Sequence, residues 1–387
     1  MPDHAAFDDA AGEFWRGRRV LITGHTGFKG AWLWLWLRAL GARLSGYALA
    51  PPTLPCLWDI VRGAARRGDA PPGEAPPGET SVIADVRDAA RLRGAVEAAD
   101  PQIVFHLAAQ ALVRESYRDP LGTFATNVLG TAALLEACRG LEHLQCVIIV
   151  TSDKVYANDG AGRPFEEGDR LGGQDPYSSS KACVELLTAS FRESFFARAA
   201  PLATARAGNV IGGGDWSADR LIPDCVRALA AGRAVSLRHP DAVRPWQHVL
   251  EPLGGYLMLA QALVRSAQRV PRAVNFGPDA ASFSTVKAVV EAFSASFAGK
   301  PGWSRDAGAH PPEAHALSLS SALAARSLGW RPALDLEQSL AWTAGWYRAH
   351  AAGEDMLRFS EEQLARYRAS SHRARSQCAS SRDGSRA

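Results

Sequence analysis

The chain has 387 residues, of which 47% are hydrophobic and 21% are charged, and its formal net charge is +3 at pH 7. This length allows two domains or one domain with a large second lobe, and the composition is that of an ordinary globular protein. The small basic excess lies largely near the C-terminus, which argues against a nucleic-acid surface. No segment approaches about 20 uninterrupted apolar residues, and the cysteines form no C-x-x-C pair. We therefore expect a cytoplasmic protein with reduced thiols, without a metal site, a membrane anchor or a nucleic-acid partner.

A strand, a glycine-rich turn and a helix are predicted near the start of the chain. The strand Arg19 to Thr23 leads into a G-x-x-G-x-x-G loop, and a helical pattern follows from Ala31 to Leu40. In this context the glycines let the backbone approach a pyrophosphate, whose charge is met by N–H groups at the helix start. A plain glycine-rich turn is the less favoured interpretation. The candidate cofactor contacts in this loop are Gly24, Thr26, Gly27, Phe28 and Gly30.

The next two strands would meet the adenosine half of a dinucleotide. An NAD site usually carries an acidic residue about 20 residues after the glycines, at the end of the second strand. Here the strand Leu44 to Leu49 ends without a carboxylate, so the choice between NAD and NADP stays open. A Pro- and Gly-rich stretch at 68–80 predicts an exposed loop. The third strand ends at Asp85, which could bind adenine or, with equal weight, cap the next helix, as could Asp88.

The fourth strand completes the predicted dinucleotide-binding unit. It runs from Ile103 and ends in Leu107, Ala108 and Ala109, where small side chains leave room for a flat cofactor. Asn127 opens the following helix, and we favour a polar anchor in the core over a site residue. The repeated alternation of strands and helices predicts an α/β fold with a Rossmann-type, doubly wound parallel sheet.

The candidate catalytic centre lies after the fifth strand, Cys146 to Val150. Thr151-Ser152-Asp153-Lys154 follows at its carboxyl end, where open parallel sheets bind ligands. Tyr177 and Lys181 are four residues apart on a predicted helix, so the ammonium could approach the phenol and lower its pKa. Tyr177 would then be a base near neutral pH. A Y-x-x-x-K pair alone is more often a surface pair, but its place after the Ser-Asp-Lys segment favours catalysis.

The alternation of strands and helices breaks down after the strand Leu202 to Arg206. We assign residues 14–206 to the dinucleotide-binding domain and residues 207–360 mainly to a substrate-binding lobe. One strand near 272–277 is predicted to return to the sheet. The Ser- and Arg-rich tail 369–387 is predicted to be disordered.

These motifs resemble the extended short-chain dehydrogenase/reductase family, whose NAD-dependent epimerases and dehydratases modify nucleotide sugars. The glycine loop and the Y-x-x-x-K pair mark only the superfamily. Three further segments are similar to the branch of CDP-glucose 4,6-dehydratases: Thr151 to Lys154, Arg206 to Trp216 and Arg244 to Val249. The resemblance covers about residues 14–356. It implies bound NAD, a CDP-glucose substrate and deoxysugar biosynthesis of the kind that serves lipopolysaccharide O-antigens. It also implies a homodimer that pairs through a four-helix bundle, built from the helix after Asn127 and the one carrying Tyr177.

The reaction implied by this resemblance removes water from the sugar without net redox change. Hydride leaves C4 while Tyr177, supported by Lys181, takes the hydroxyl proton. Water is lost across C5 and C6, and hydride returns to C6. Ser152 would hold the C4 oxygen, and Asp153, kept protonated by its surroundings, would be the acid for the C6 hydroxyl. Related dTDP-glucose dehydratases carry Glu in place of Lys154, so Lys154 is either a neutral C5 base or only stabilises the enolate. An ion pair of Asp153 with Lys154 at the strand end is the alternative without catalysis.

The second lobe offers donors for the substrate phosphates, namely Asn209, Arg220 and Arg244. Arginine suits phosphate because its guanidinium donates paired hydrogen bonds. For Arg220 alone, a solvated charge at a helix start is nearly as favoured. Two other functions also fit the fold. A nucleotide-sugar 4-epimerase uses Tyr and Lys with NAD but does not need the pair Asp153 and Lys154, and a non-catalytic nucleotide-binding regulator would keep the fold without turnover.

Overall fold

The computed structural model describes residues 12–63, 78–158, 160, 162–197, 199–297, 302–308 and 317–383. Within the predicted exposed loop at 68–80, residues 68–77 lie outside this description. The strands are β1 Arg19–Thr23, β2 Arg43–Ala48, β3 Glu79–Ile83, β4 Ile103–His106, β5 Cys146–Val150, β6 Leu202–Arg206, β7 Val210–Ile211, β8 Val235–Leu237, β9 Val243–Pro245, β10 Gln247–His248, β11 Ala273–Asn275, β12 Phe283–Thr285 and β13 Trp303–Arg305.

The helices surround a central sheet and also build most of the second lobe. A π-helical turn, Ala125–Leu129, joins the fifth helix to the sixth. The helices are α1 Phe28–Ala39, α2 Leu57–Gly63, α3 Ala89–Ala99, α4 Val113–Arg118, α5 Pro120–Phe124, α6 Gly130–Cys138, α7 Pro176–Phe195, α8 Leu221–Ala230, α9 Leu250–Ser266, α10 Val286–Phe297, α11 Ala322–Ser327, α12 Leu336–Ala351 and α13 Met356–Asp383.

Seven parallel strands form the central sheet, in the order β11-β6-β5-β4-β1-β2-β3. The direction of winding reverses between β1 and β4, as in the doubly wound Rossmann arrangement. The predicted fold class is therefore confirmed. The predicted returning strand is also present, because β11 pairs in parallel with β6.

Both faces of the sheet are covered, which explains the continuous apolar runs of its strands. Val20 and Ile22 of β1 belong to one buried cluster with residues of α1 and α9. Leu21 belongs to a second cluster with residues of α3, α6 and α7. Adjacent residues of a strand point to opposite faces, so a strand covered on both sides is apolar along most of its length.

The chain after β6 forms three small sheets of two strands each, β7 with β10, β8 with β13 and β9 with β12. They belong to the predicted second lobe. However, α9 packs against β5 and α1, and β11 joins the main sheet. Part of the segment 207–360 therefore builds the dinucleotide-binding domain, and the chain crosses between the two units more than once.

The C-terminal segment differs from the predicted disorder at 369–387. Helix α13 continues to Asp383, and residues 384–387 lie outside the described part. Its sequence contains neither Gly nor Pro, and its six Arg and four Ala favour a helix, although it also contains six Ser. Leu364 and Tyr367 are buried, so the first half of the helix is held by the core. Low hydrophobicity of the tail was therefore a poor guide to its structure.

The run Pro120–Cys138 has the length and hydropathy of a candidate membrane span, although 44% of it is buried inside the protein. It contains the buried and hydrogen-bonded side chain of Asn127. It also packs against α3 and α7 as part of the second apolar cluster. A core helix passes the same test of length and composition, so this run gives no support for a membrane location.

Candidate active site

A cavity of about 930 Å³ opens at the carboxyl ends of β1, β4 and β5, between the sheet and the second lobe. This is the edge, beside the reversal of strand order, where doubly wound sheets bind ligands. Every predicted site residue borders this cavity, in three groups. They are the cofactor candidates Gly24, Thr26, Gly27, Phe28, Gly30, Asp85, Leu107, Ala108 and Ala109, the catalytic candidates Ser152, Asp153, Lys154, Tyr177 and Lys181, and the substrate candidates Asn209, Arg220 and Arg244.

The glycine loop has the tight backbone packing and the bare helix start that a pyrophosphate site requires. Gly24 has φ +75°, and a Cβ there would lie 2.7 Å from the Ala108 nitrogen. A Cβ on Gly30 would lie 2.1 Å from the Gly24 oxygen. Helix α1 has no side-chain cap and no acidic residue in its first turn. Its first N–H groups can therefore meet an anionic ligand without competition from a protein carboxylate.

The end of the cavity beside β2 and β3 is bordered by Leu49 after β2 and by Asp85 and Arg87 after β3. Thr26 Oγ1 donates to the Leu49 carbonyl at 2.8 Å, which ties the glycine loop to the end of β2. Asp85 pairs with Arg87 at 2.6 Å, and this arginine lowers the pKa of the Asp85 carboxyl. Asp88, not Asp85, caps α3 by accepting from the Arg91 N–H at 3.0 Å. Capping by Asp85 is therefore wrong, and its contact with adenine stays a prediction.

Tyr177 and Lys181 are both buried, which eliminates a simple surface pair. Lys181 Nζ donates to the Val150 carbonyl at 3.2 Å, and burial, opposed by Glu185, lowers its pKa to about 8. Burial raises the pKa of Tyr177 to about 12, although a hydrogen bond with Ser152 opposes this shift. The net shift of the Tyr177 pKa is therefore upward, opposite to the predicted direction, because loss of hydration outweighs the nearby positive charge of Arg220.

Asp153 lies in a short 3₁₀ turn that directly follows β5, and its side chain is shielded from solvent. Its Oδ1 accepts a hydrogen bond from Ser152 Oγ at 3.0 Å. Its Oδ2 accepts from Asn209 Nδ2 at 3.1 Å. Among the described ion pairs, none joins Asp153 to Lys154, so the proposed strand-end pair receives no support. The carboxyl is instead fixed between a hydroxyl and an amide.

Asn127 is the polar anchor that we favoured from the sequence. It is 1% exposed and lies in the π-helical turn beside α7. Its Nδ2 donates to Ser180 Oγ at 2.8 Å and to the Gln110 carbonyl at 3.1 Å, while its Oδ1 accepts from the Gln110 N–H at 2.8 Å. Asn127 therefore fixes the loop after β4 to the helix that carries Tyr177.

Two of the predicted phosphate contacts are arginines in the second lobe. Arg220 pairs with Asp215 at 2.9 Å, and its position beside Tyr177 places it at the reacting end of the cavity. Arg244 is buried in β9 and donates to the Val243 carbonyl at 2.9 Å. Neither side chain is a freely solvated surface charge, so both are suited to an anionic ligand that enters the cavity.

The sequence analysis missed four other cations that border the cavity, Lys29, Arg87, Arg114 and Arg238. Burial and the neighbouring Arg220 lower the pKa of Lys29 to about 7. Arg114 pairs with Asp219 at 2.6 Å, and Arg238 lies 3.7 Å from the same carboxylate. Lys29 could have been identified from the sequence, because it lies inside the glycine loop. Arg114 and Asp219 come from distant segments, and no local pattern connects them.

Comparison with known proteins places this arrangement in a family. The family model described as GDP-mannose 4,6 dehydratase matches residues 21–343. The chain is 43% identical over 360 residues to CDP-glucose 4,6-dehydratase of Salmonella typhimurium, covering 92% of this chain and 97% of the relative. It is 31% identical over 269 residues to dTDP-glucose 4,6-dehydratase of Streptomyces griseus, covering 69% of this chain and 76% of the relative.

Solved structures show the same fold at lower sequence identity. A dTDP-glucose 4,6-dehydratase of Bacillus anthracis in complex with NAD has a TM-score of 0.71 at 21% identity, covering 88% of this chain and 100% of that chain. A dTDP-glucose 4,6-dehydratase of Streptomyces venezuelae with bound NAD has a TM-score of 0.72 at 24% identity, covering 88% of this chain and 99% of that chain. The family match spans most of the chain, and the fold, the cavity and its motifs agree with it. The chain belongs to the GDP-mannose 4,6-dehydratase family, within the extended short-chain dehydrogenases/reductases.

Proposed function

We propose that the protein is a hydro-lyase that converts CDP-glucose to CDP-4-keto-6-deoxyglucose with NAD as its cofactor. The observation that carries this proposal is the 43% identity, over 92% of the chain, to a CDP-glucose 4,6-dehydratase. The convergence of Ser152, Asp153, Tyr177 and Lys181 on one cavity supports it, because oxidation at C4 and loss of water both need positioned acids and bases.

The dinucleotide would lie along the glycine loop and the ends of β3 and β4. Backbone N–H groups at the start of α1 would bind the pyrophosphate, and Gly24 and Gly30 would allow the close approach. Leu107, Ala108 and Ala109 would border the flat rings, and Asp85 the adenine. When bound, NAD supplies the acceptor for the C4 hydride and the donor that returns hydride to C6.

Side chains of the protein would transfer the protons at C4, C5 and C6 of the sugar. Tyr177 would take the C4 hydroxyl proton while Ser152 holds the same oxygen. Because burial raises the pKa of Tyr177 to about 12, a positive charge must stabilise the phenolate, and Lys181 is buried within the same site. Asp153 would protonate the leaving C6 hydroxyl, and Lys154 would take the C5 proton or stabilise the enolate.

The substrate diphosphate would bind on the second-lobe side of the cavity. Arg220 and Arg244 border it, and the guanidinium group matches phosphate oxygens through paired hydrogen bonds. Asn209 borders the same space and is a further candidate donor. Eight Lys and Arg side chains border the cavity, beside seven Asp and Glu, and they are candidate partners for two diphosphate groups, one from the cofactor and one from the nucleotide sugar.

We also propose a homodimer that pairs through the surfaces of α6 and α7. Leu129, at the start of α6, is 65% exposed, and Leu186 on α7 is 61% exposed. Two large aliphatic side chains on neighbouring helices would bury an apolar strip when a second copy adds its own two helices. A cytoplasmic location, where NAD and nucleotide sugars are supplied, and a role in deoxysugar biosynthesis for O-antigens complete the proposal.

Incubation of the purified protein with NAD+ and CDP-glucose tests the activity. Parallel reactions contain dTDP-, UDP- or GDP-sugars, and the variant Tyr177→Phe is the control. We expect CDP-glucose to lose one water by mass spectrometry and to give a 4-keto product that absorbs in base. An isomer of unchanged mass would indicate an epimerase instead. Bound NAD without turnover of any sugar would indicate a regulator.

A further inference from the structure

Asn209 occupies a backbone conformation that few side chains tolerate. Its φ is +48°, in the left-handed region, where a non-glycine residue is strained and where Asn is among the least penalised. This conformation persists only if other contacts stabilise it. In the structure, Asn209 Nδ2 donates to Asp153 Oδ2 at 3.1 Å. The strained residue thus delivers its amide to the carboxyl that we assign as the acid.

The backbone next to Asn209 is packed directly against the same carboxyl. A Cβ on Gly208 would lie 1.9 Å from the carboxylate of Asp153, so any larger residue would displace it. The loop is held from behind by Gln247, whose Nε2 donates to the Gly208 carbonyl at 3.2 Å and to the Phe276 carbonyl at 2.8 Å. The Gln247 N–H also donates to the Asn209 carbonyl at 3.3 Å. The loop is therefore built to fix one side of Asp153.

We infer that Asn209 is a positioning residue for Asp153, in addition to its place among the candidate phosphate contacts. This inference rests on the proposed dehydratase function. The amide N–H holds Oδ2 as an acceptor, so the acid proton lies on Oδ1. The Ser152 O–H, which donates to Oδ1 in the structure, then turns to the C4 oxygen of the sugar. In the elimination, the C6–O bond breaks and the departing hydroxyl takes the proton on Oδ1 to form water. The electron pair of the C5–H bond forms the C5–C6 double bond, and the C5 proton passes to the base.

Two variants of Asn209 separate this role from phosphate binding. Asn209→Gly removes the amide and is compatible with the left-handed backbone. Asn209→Asp keeps the shape but sets a second carboxylate against Asp153, so the donor is replaced by a like charge. In single turnovers of CDP-glucose with the NAD-loaded enzyme, absorbance reports reduced nicotinamide and mass spectrometry reports water loss.

At saturating CDP-glucose, which offsets a loss of phosphate binding, we expect reduced nicotinamide to form in the Gly variant at the wild-type rate. It should then persist, because elimination slows about 10- to 100-fold, the range seen when residues that support metal ligands are removed. In the Asp variant, the pH profile of elimination should shift to higher pH. Gly208→Ala, which displaces Asp153 while keeping the amide, should also slow elimination. Arg244→Gln is the control variant for phosphate binding, and we expect it to raise KM without accumulation of reduced nicotinamide.

A raised KM without slower elimination in the Asn209→Gly enzyme would overturn the inference, and so would wild-type kinetics. A wild-type enzyme that does not dehydrate CDP-glucose would instead overturn the proposed function. The contact with Asp153 is then tested by urea unfolding alone. Asn209→Gly should shift the unfolding midpoint less in an Asp153→Ala background than in the wild type, and equal shifts would refute the contact.

Discussion

The buried ion pair between Glu185 and Arg206 should be a main stabilising contact of α7, the helix that carries Tyr177. The two side chains are only 3% and 4% exposed. Arg206 donates to both carboxylate oxygens, from Nε at 2.9 Å and from Nη2 at 2.8 Å. Thr151 and Thr204 add hydroxyl donors at 2.5 and 2.7 Å. Glu185 lies one turn after Lys181, and Thr151 precedes Ser152, so this cluster joins both halves of the proposed catalytic centre.

Removal of one partner leaves a buried charge without compensation, which costs about 3–5 kcal/mol in comparable sites. We therefore expect Arg206→Met and Glu185→Leu each to lower the free energy of unfolding by about this amount. The double variant removes both charges and fills the space with apolar atoms, so it should cost less than either single change. Urea unfolding, followed by circular dichroism, measures all three against the wild type.

An exposed pair on the same chain is the matched control. Arg358 and Glu362 lie 2.8 Å apart, but their side chains are 78% and 60% exposed. Glu362→Gln should leave the free energy of unfolding nearly unchanged, because water screens this pair. The reasoning fails if the single changes at Glu185 or Arg206 cost less than about 1 kcal/mol. It also fails if the double variant loses the sum of the two single losses.

Three further predictions follow from the proposed roles and from burial. Tyr177→Phe should abolish formation of reduced nicotinamide, whereas Asp153→Asn should still form it but release water slowly; equal rates of water loss in Asp153→Asn and wild type would remove Asp153 as the acid. Burial raises the pKa of Glu251 to about 7, above that of an unfolded carboxyl, so the protonated form stabilises the fold. This stabilisation, about 3 kcal/mol at most, should be lost as the pH rises from about 4.5 through 7, and unfolding of Glu251→Gln should lack that slope. Leu186→Asp should convert a dimer to a monomer in light scattering, while an unchanged mass would place the interface elsewhere.

The parts of the fold that could be predicted depend on local sequence. The bounds of β1, β5 and β6 agree with the sequence analysis, because each strand is a largely apolar run that stands out from the loops around it. The position of the candidate site, at one edge of the sheet, could also be predicted. Parallel strands place their carboxyl ends together, so residues that follow different strands must converge once the order of elements is known.

The parts that could not be predicted depend on contacts between distant segments. Arg114 and Asp219 meet across the cavity from different lobes, and neither lies in a recognisable motif. The direction of the Tyr177 pKa shift depends on how deeply the phenol is buried, which the spacing from Lys181 does not determine. Sequence spacing thus identifies which groups can interact, whereas burial decides the direction in which a pKa shifts.

The sequence and the structure indicate two different roles for Asn209. The sequence analysis makes it a candidate donor to the substrate phosphates, while the structure places its amide on Asp153. An amide nitrogen carries two hydrogens, so one can hold the carboxyl while the other reaches a phosphate oxygen. Asn209 can therefore make both contacts at once. The two roles affect different steps, because the phosphate contact acts when substrate binds and the contact with Asp153 acts after C4 is oxidised. A loss confined to the later step would show that the strained backbone at Asn209 serves the chemistry.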